Sequence, residues 1–408
     1  MVIKFGKRRW ALPSPPIFIN LFVTGIVLLP IYIKLMGVLG QILSVPTTVT
    51  TYLYYGVLWL LLLIGIWEIK NHIIYAVIMA ILLAVALLME LFLFPENSAY
   101  ILDGDAFSYA IFQPTALLQS TLFVFVGLAV TNFEHLGRLL HRAARIGVLA
   151  ATLTYLLMLL FGVGIHYDDM STAYGVSLIM CILVAFKENG DWKYIVMGSV
   201  CLILGGTRGP IICLLVAAIF RFIIFEDNIY TKARGIFLCI IGGLVVISGV
   251  GLKLLELLND FFAMFGQTNL RILDYINEGV ILNGSGRDDF AYVLLEAIKK
   301  HPFVGYGVGA DRLILGGYYA HNLVLEVLVS FGVIVGGIFL VWIICLSLRM
   351  FTSQKLTARK LAIGLFCGIV VKLCLSSTFI ESREFFLFLG LCIAAKGSCG
   401  LIEQTEKR

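Results

Sequence analysis

The chain has 408 residues, 60% of them hydrophobic and 13% charged, and its mean hydropathy is +0.99. Soluble domains have about a quarter of their residues charged, so this composition excludes a water-soluble enzyme and predicts a polytopic membrane protein. The formal charge of +5 is scattered between apolar runs, which suits membrane topology and excludes a concentrated nucleic-acid-binding patch.

A bilayer core about 30 Å thick needs roughly 20 apolar residues per helix. On that measure residues 1–408 read as a single all-α transmembrane domain of about twelve helices. Lys4, Lys7, Arg8 and Arg9 precede the first run with no small-residue cleavage pattern, which predicts a retained span rather than a removed signal peptide. In chain order the predicted spans are Ile17 to Leu39, Thr51 to Trp67, His72 to Phe94, Thr115 to Thr131, Ile146 to Val163 and Thr172 to Phe186. They continue as Tyr194 to Gly206, Pro210 to Phe225, Gly235 to Gly251, Asn322 to Leu348, Leu361 to Thr378 and Phe385 to Ala395. The nine cysteines lie in or beside these runs without a CxxC pair, and read as small buried hydrophobes rather than disulfides or metal ligands.

Alternate connections differ in basic content. One set holds Arg138, Arg142, Arg145, Lys187, Lys193, Arg221, Lys232, Arg234, Arg349, Lys355, Arg359 and Lys360, and the excess of Lys and Arg marks it as cytoplasmic together with both termini. The opposite set includes the base-free stretch from Glu96 to Gln113, the acidic turn from His166 to Met170, the turns at Gly205 to Pro210 and Glu381 to Glu384, and one long connection over residues 252–320. Long loops in compact structures are usually functional, so the chemistry is expected on this outer side.

Arg208 sits there in the turn Gly205, Gly206, Thr207, Arg208, Gly209, Pro210. A guanidinium offers a planar fork of donors and a permanent charge, which suits a phosphate; snorkelling to the interface is the alternative. In the long loop, Ser285 and Asp288 have capping-box spacing. Phe290, Val293, Leu294, Ala297 and Ile298 then recur at helical intervals up to Lys299 and Lys300. Arg287 falls in the first turn of that predicted helix, where free N–H groups already favour an anion, or where it simply pairs with Asp288 or Asp289.

Next comes Pro302, Phe303, Val304, Gly305, Tyr306, Gly307, Val308, Gly309. Its glycines permit tight turns and close approach, but without a Gly-Lys-Ser/Thr ending it is no nucleotide loop. His321 and Asn322 stand at the mouth of the following span, with Glu326 one turn inside, where an ionisable group is costly unless paired. Histidine is suited to accept a hydroxyl proton near neutral pH, and Asn322 or Glu326 could orient it; structural hydrogen bonding is the competing explanation. Tyr318 and Tyr319 suit sugar stacking or an interfacial belt. His166, Asp168, Asp169, Arg271, Arg312, Glu381 and Arg383 are weaker outward candidates, and no pair among them has metal-ligand spacing.

The stretch from Gly286 and Arg287 through the amphipathic helix to His301, Pro302, Gly305, Tyr306 and Gly307, followed by Ala320, His321, Asn322 and Glu326, resembles the signature region of the O-antigen ligase and polymerase superfamily. Thr207, Arg208 and Gly209 fit as well. The resemblance implies a GT-C-like, metal-independent, cofactor-free glycosyltransferase at the outer face of the bacterial plasma membrane. By resemblance, Arg208 and Arg287 bind the pyrophosphate of an undecaprenyl-pyrophosphate-linked oligosaccharide donor and His321 is the base. Asn322, Glu326, Tyr319, Gly305 and Gly307 are the weaker substrate-binding candidates.

The expected activity is inverting polymerisation of an O-antigen or capsule glycan onto a lipid-linked acceptor. The alternative is a ligase that moves the glycan to a lipid A core or another acceptor in lipopolysaccharide biosynthesis. Expected partners are donor, acceptor, membrane lipid, and a chain-length regulator and flippase of the cell envelope, with no nucleic acid. A lipid-linked oligosaccharide flippase is the rival of another class, but transporters concentrate charge near the midplane. Here Lys34, Lys372 and Glu326 fall within predicted spans, while the strongest polar cluster lies outside them.

Overall fold

The computed structural model describes residues 2–5, 8–11, 17–68, 77–78, 81, 85, 88, 92–97, 116–162, 170–205, 207–247, 253, 256–257, 260, 264 and 287–400, with side chains except at 2–11, 68, 116–121, 243–247, 287 and 396–400. A short antiparallel pair, β1 (Val2–Phe5) and β2 (Arg8–Ala11), precedes an otherwise helical chain. The helices are α1 (Ile17–Leu43), α2 (Thr47–Glu68), α3 (Ala116–Ala129), α4 (Phe133–Phe161), α5 (Met170–Phe186), α6 (Trp192–Leu204) and α7 (Arg208–Phe225). They continue as α8 (Ile229–Ile247), α9 (Arg287–Lys300), α10 (Ala310–Ile314), α11 (Leu323–Phe351), α12 (Leu356–Leu365), α13 (Lys372–Leu375) and α14 (Arg383–Gly400). A π-helical turn, Phe366–Val371, joins α12 to α13 without a break.

Five helices among the described residues are long and apolar enough to cross a membrane: Ile17–Leu43, Thr47–Trp67, Phe133–Phe161, Arg208–Phe225 and Leu323–Phe351. Helices α5 and α6 are shorter but equally apolar. The predicted span from His72 to Phe94 and, in the long loop over 252–320, the stretch 265–286 lie largely outside the described residues. Many leucines that would be hidden in a soluble protein, such as Leu63, Leu153 and Leu160, are exposed. Helix α4 shows why: Leu140, Val148 and Met158 face the interior while Leu149, Leu153 and Leu156 face outward, so apolar residues on both faces fit a helix flanked by protein and lipid.

Helix α4 also departs from the sequence reading, which treats Arg138, Arg142 and Arg145 as a connection. All three lie on the helix, which begins earlier because Asn132 accepts the His135 N–H at 2.9 Å as N-cap. Leu136, Leu140, Ala143 and Ala144 are buried, so the amphipathic stripe runs unbroken through the basic segment, and arginine and alanine are good helix formers.

Helix α5 is the centre of the bundle, with every residue from Thr172 to Phe186 buried. Small residues let its neighbours approach closely, as expected where lipid offers no hydrophobic drive for helix association. A Cβ at Gly368 would lie 2.9 Å from Leu178 Cα, and one at Gly175 would lie 2.7 Å from Pro30 Cβ. Helices α3 and α14 cross in the same way, Gly127 against Gly390.

At the end of the bundle where α4 and α6 begin, buried His141 and Asp191 are joined Nε2 to Oδ2 at 2.8 Å. Arg145 donates to Asp191 Oδ1 at 2.7 Å and to Glu188 at 2.8 Å. His141, Glu188 and Asp191 are grouped closely enough to hold a metal ion, but Arg145 already puts a fixed positive charge on both carboxylates. Burial pushes the Asp191 carboxyl up; hydrogen bonds from Arg145, the Glu188 N–H and His141 outweigh it and hold the group below its usual range. A depressed carboxyl contributes stability above the ordinary aspartate value of about 3.9 and loses it as pH falls through the lower folded value. Asp191→Asn should therefore lower the melting temperature of the purified chain at pH 7, and the gap between parent and variant should narrow as the pH is taken below that value.

Candidate functional site

Helix α11 opens at Asn322, whose side-chain oxygen accepts the Val324 and Leu325 N–H groups at 2.9 and 3.2 Å. This N-cap satisfies two donors that would otherwise be orphaned, so Asn322 fixes the direction of the helix. His321 precedes it in the left-handed region, φ 52°, a conformation that costs a non-glycine residue about 1–3 kcal/mol when over-determined by its surroundings. Its ring lies 4.0 Å from the Tyr319 ring, centroid to centroid. Its Nδ1 is 3.5 Å from Ser376 Oγ. Ser377, next along that facing segment, also has positive φ, 70°.

Two fully buried carboxylates hold this geometry from either side. Asp311 accepts the Ala320 N–H at 2.8 Å and so fixes the chain immediately before His321. Burial pushes its carboxyl up, while Arg312 Nη1 stands 3.8 Å from its other oxygen. Glu326 accepts from Thr378 Oγ1 and from the Phe379 N–H, the latter at 3.1 Å, which fixes the segment carrying Ser376. Arg312 ties the two sides together by donating to Glu381 at 2.5 Å. Glu326 is thus paired, as its depth in the helix requires.

Helix α11 is broken at Gly332, φ 73° and ψ 174°. The break frees the carbonyls of Val329 and Ser330, and the loop before the helix fills them: Tyr306 and Gly307 donate their N–H groups to these oxygens, each at 2.9 Å. In return Val333 donates to Pro302 O at 2.6 Å. Glycines are obligatory at this contact, since a Cβ on Gly305 would fall 2.5 Å from Ser330 O and one on Gly332 2.5 Å from Phe303 O. The close approach expected of Gly305 and Gly307 is therefore to the helix backbone. Buried Asn97 anchors the loop from a distant segment, its Nδ2 donating to Tyr306 O at 2.7 Å.

Arg208 opens α7 behind the extended N-cap Thr207. Thr207 is 7% exposed and its Oγ1 has no hydrogen-bond partner among the described residues. Gly209 lets the chain pass the ring of Tyr174, for a Cβ there would lie 2.0 Å from the Tyr174 oxygen, and Ser177 donates to Pro210 O at 2.9 Å. Tyr174 lines a cavity that Tyr319 and Ser376, the two neighbours of the His321 ring, line as well. His321 borders this cavity through Tyr319 and Ser376, while Arg208 is next in the chain to Gly209, which packs on Tyr174. Arg287 opens α9, but its side chain, like His166, Asp168, Asp169 and Arg271, lies outside the described residues.

Sequence reasoning missed Asp311, Ser376 and Thr378. Asp311 stands in a glycine-rich loop whose fold was not legible, whereas the run Ser376, Ser377, Thr378 at the end of an apolar span was a usable signal. Tyr318, expected near sugar, stacks on Phe290 with ring centroids 5.4 Å apart.

Residues 194–340 match the family model described as O-antigen ligase. No curated protein matches the chain. The matched stretch contains Arg208, the opening of α9, the loop at Gly305 and His321. Within it Gly305→Ala is expected to disrupt the docking of the loop on α11, abolishing activity and lowering the melting temperature. Glu326→Ala, which leaves the Phe379 N–H and the Thr378 hydroxyl buried without an acceptor, should cost about 1–3 kcal/mol, read as a lower melting temperature. Glu326→Gln, which keeps an acceptor in place, should recover part of it; a Glu326→Ala variant as stable as the parent would refute the clamp.

Proposed function

We propose, on the premise that this chain belongs through residues 194–340 to the O-antigen ligase and polymerase superfamily, that it is a membrane glycosyltransferase of lipid-linked glycans, and specifically a polymerase. Its donor would be an oligosaccharide carried on undecaprenyl pyrophosphate and its acceptor a lipid-linked repeat unit. The observation that carries the reading is the strained His321, held by Asp311 and Glu326 beside a cavity that its ring neighbours Tyr319 and Ser376 line.

The chemistry follows from that arrangement. With its Nδ1 turned to Ser376, the imidazole presents Nε2 to an acceptor hydroxyl. As the hydroxyl oxygen bonds to the anomeric carbon, its proton passes to Nε2 and the bond from that carbon to the pyrophosphate breaks. Attack opposite the leaving group inverts the anomeric centre. The negative charge growing on the pyrophosphate is met by Arg208 and by Arg287 from the start of α9, preorganised cations being the largest common source of such stabilisation. The reacting groups on this reading are guanidinium and imidazole, and the described carboxylates beside them already hold protein donors, so chelators should leave the rate unchanged.

A ligase shares this centre and differs only in the acceptor, and the family description favours it as the second reading. On either reading the outer face of the bacterial plasma membrane is the place of action, with both termini cytoplasmic. Purified chain incubated with lipid-linked repeat units alone should yield a ladder of products; product formed only on addition of a separate lipid A core acceptor would make it the ligase. His321→Ala should reduce turnover by about 10²- to 10⁴-fold, and Arg208→Ala or Arg287→Ala by about 10²- to 10³-fold, with insertion unaffected. Undiminished product from all three variants would end the transferase reading.

A further inference from the structure

The cavity beside His321 has a volume of about 250 Å³ and reaches from the segment after α13 down between α1, α5 and the π-helical turn. Its upper wall carries Ser376, Ser377, Ser382 and Tyr319. Its floor is apolar, formed by Pro30, Leu178 and Ile369. Between them the wall bears Lys372, Arg383, Glu381 and Glu384. The two carboxylates are engaged: Glu381 accepts from Arg312, and Glu384 lies 3.4 Å from Arg383 Nε. Among the described residues Lys372 makes no ion pair, and its Nζ stands over the face of Tyr174, 5.4 Å from the ring centroid.

A half-buried ammonium over an aromatic face, facing a carboxylate, Glu384, that it shares with Arg383, leaves two cations to one acid, an unusual cost within a span. It is repaid if an anion enters. The π-helical turn strengthens the case, because such turns gather at functional sites and this one ends immediately before Lys372. We infer that Lys372, with Arg383, binds the pyrophosphate of a polyprenyl pyrophosphate in this cavity, the hydroxyl-rich wall facing its sugar and the apolar floor its first isoprene units. Tyr174 packs against Gly209 and lies under Lys372, so one aromatic ring joins Lys372 to the turn that carries Arg208. The inference rests on the transferase reading for its ligand class, and names a cation which that reading does not use.

The test measures binding of undecaprenyl pyrophosphate, undecaprenol and inorganic pyrophosphate to the full chain in nanodiscs by ligand-induced thermal stabilisation. Lys372→Met should weaken binding of the lipid pyrophosphate by about 10- to 100-fold, as loss of a charge-assisted contact implies. Lys372→Arg should retain most of it, and undecaprenol should bind parent and variant alike. Arg383→Gln provides a second variant if Lys372→Met fails to fold, and should weaken binding in the same sense. Unchanged affinity in the folded variants, or a parent that does not prefer the pyrophosphate to undecaprenol, would overturn the inference. Inorganic pyrophosphate binding as tightly as the lipid would overturn the polyprenyl part of it. A parent that forms no glycan product yet shows Lys372-dependent binding would sink the transferase reading and leave this site standing. An active parent whose Lys372→Met variant keeps its affinity and KM would do the reverse.

Discussion

Inside a bilayer no water is at hand to satisfy a backbone group, and each orphaned carbonyl costs several kcal/mol. Helix α11 can break at Gly332 only because Tyr306 and Gly307 supply the two N–H groups that the break removes, and Pro302 accepts the one it releases. The exchange is mutual, for the loop's own donors are satisfied by the same contact. Loop and helix therefore stand or fall together, and the side chains they carry inherit one fixed spacing. Asn97 extends the constraint to a segment some 200 positions away in the chain, through its bond to Tyr306 O.

The break gives α11 a short outer half, and that half presents His321, Asn322 and Glu326. Asn322 caps it, Glu326 grips the segment opposite, and Asp311 grips the residue before His321. Among the described residues the non-glycine positions with positive φ are Ser44, His321 and Ser377, and the last two flank the contact between His321 and Ser376. Strain in such places persists only where the surroundings over-determine it. The buried carboxylates are that surrounding structure, which explains why ionisable groups are tolerated so near a transmembrane segment.

The sequence made the membrane class and many of the helices legible, because those depend on hydropathy and local capping. Helix α9 begins at Arg287 and ends at Lys300 as its apolar stripe and basic C-terminus imply. What it did not disclose depends on contacts distant in the chain. The glycines of the loop at 305–309 advertised freedom of backbone, yet nothing local said that the partner would be Gly332. Asn322 and Glu326 looked like ligands for a substrate, and the structure shows each already holding protein. Asp311 and Thr378 carried no periodic signal at all, since their importance comes from a neighbour 9 and 52 positions away respectively. The continuation of α4 through three arginines was obscured by the habit of treating a charge cluster as a boundary, when the buried stripe of Leu136, Leu140 and Ala144 runs straight past it.

The wide turn at Phe366–Val371 imposes a rule of phase on everything beyond it. An α-helix advances about 100° per residue, and a π turn holds one residue more than an α-helical path would need. Excising a single residue there would let the helix relax to ordinary winding with the residues beyond it still in phase, whereas a residue added to or lost from the α-helical stretch on either side would rotate Lys372 away from Tyr174 and Ser376 off the imidazole. Length around this segment is thus constrained as tightly as chemistry: the side chains of the turn are buried or half-buried, and a shift of phase on either side of it would uncouple the floor of the cavity from its rim.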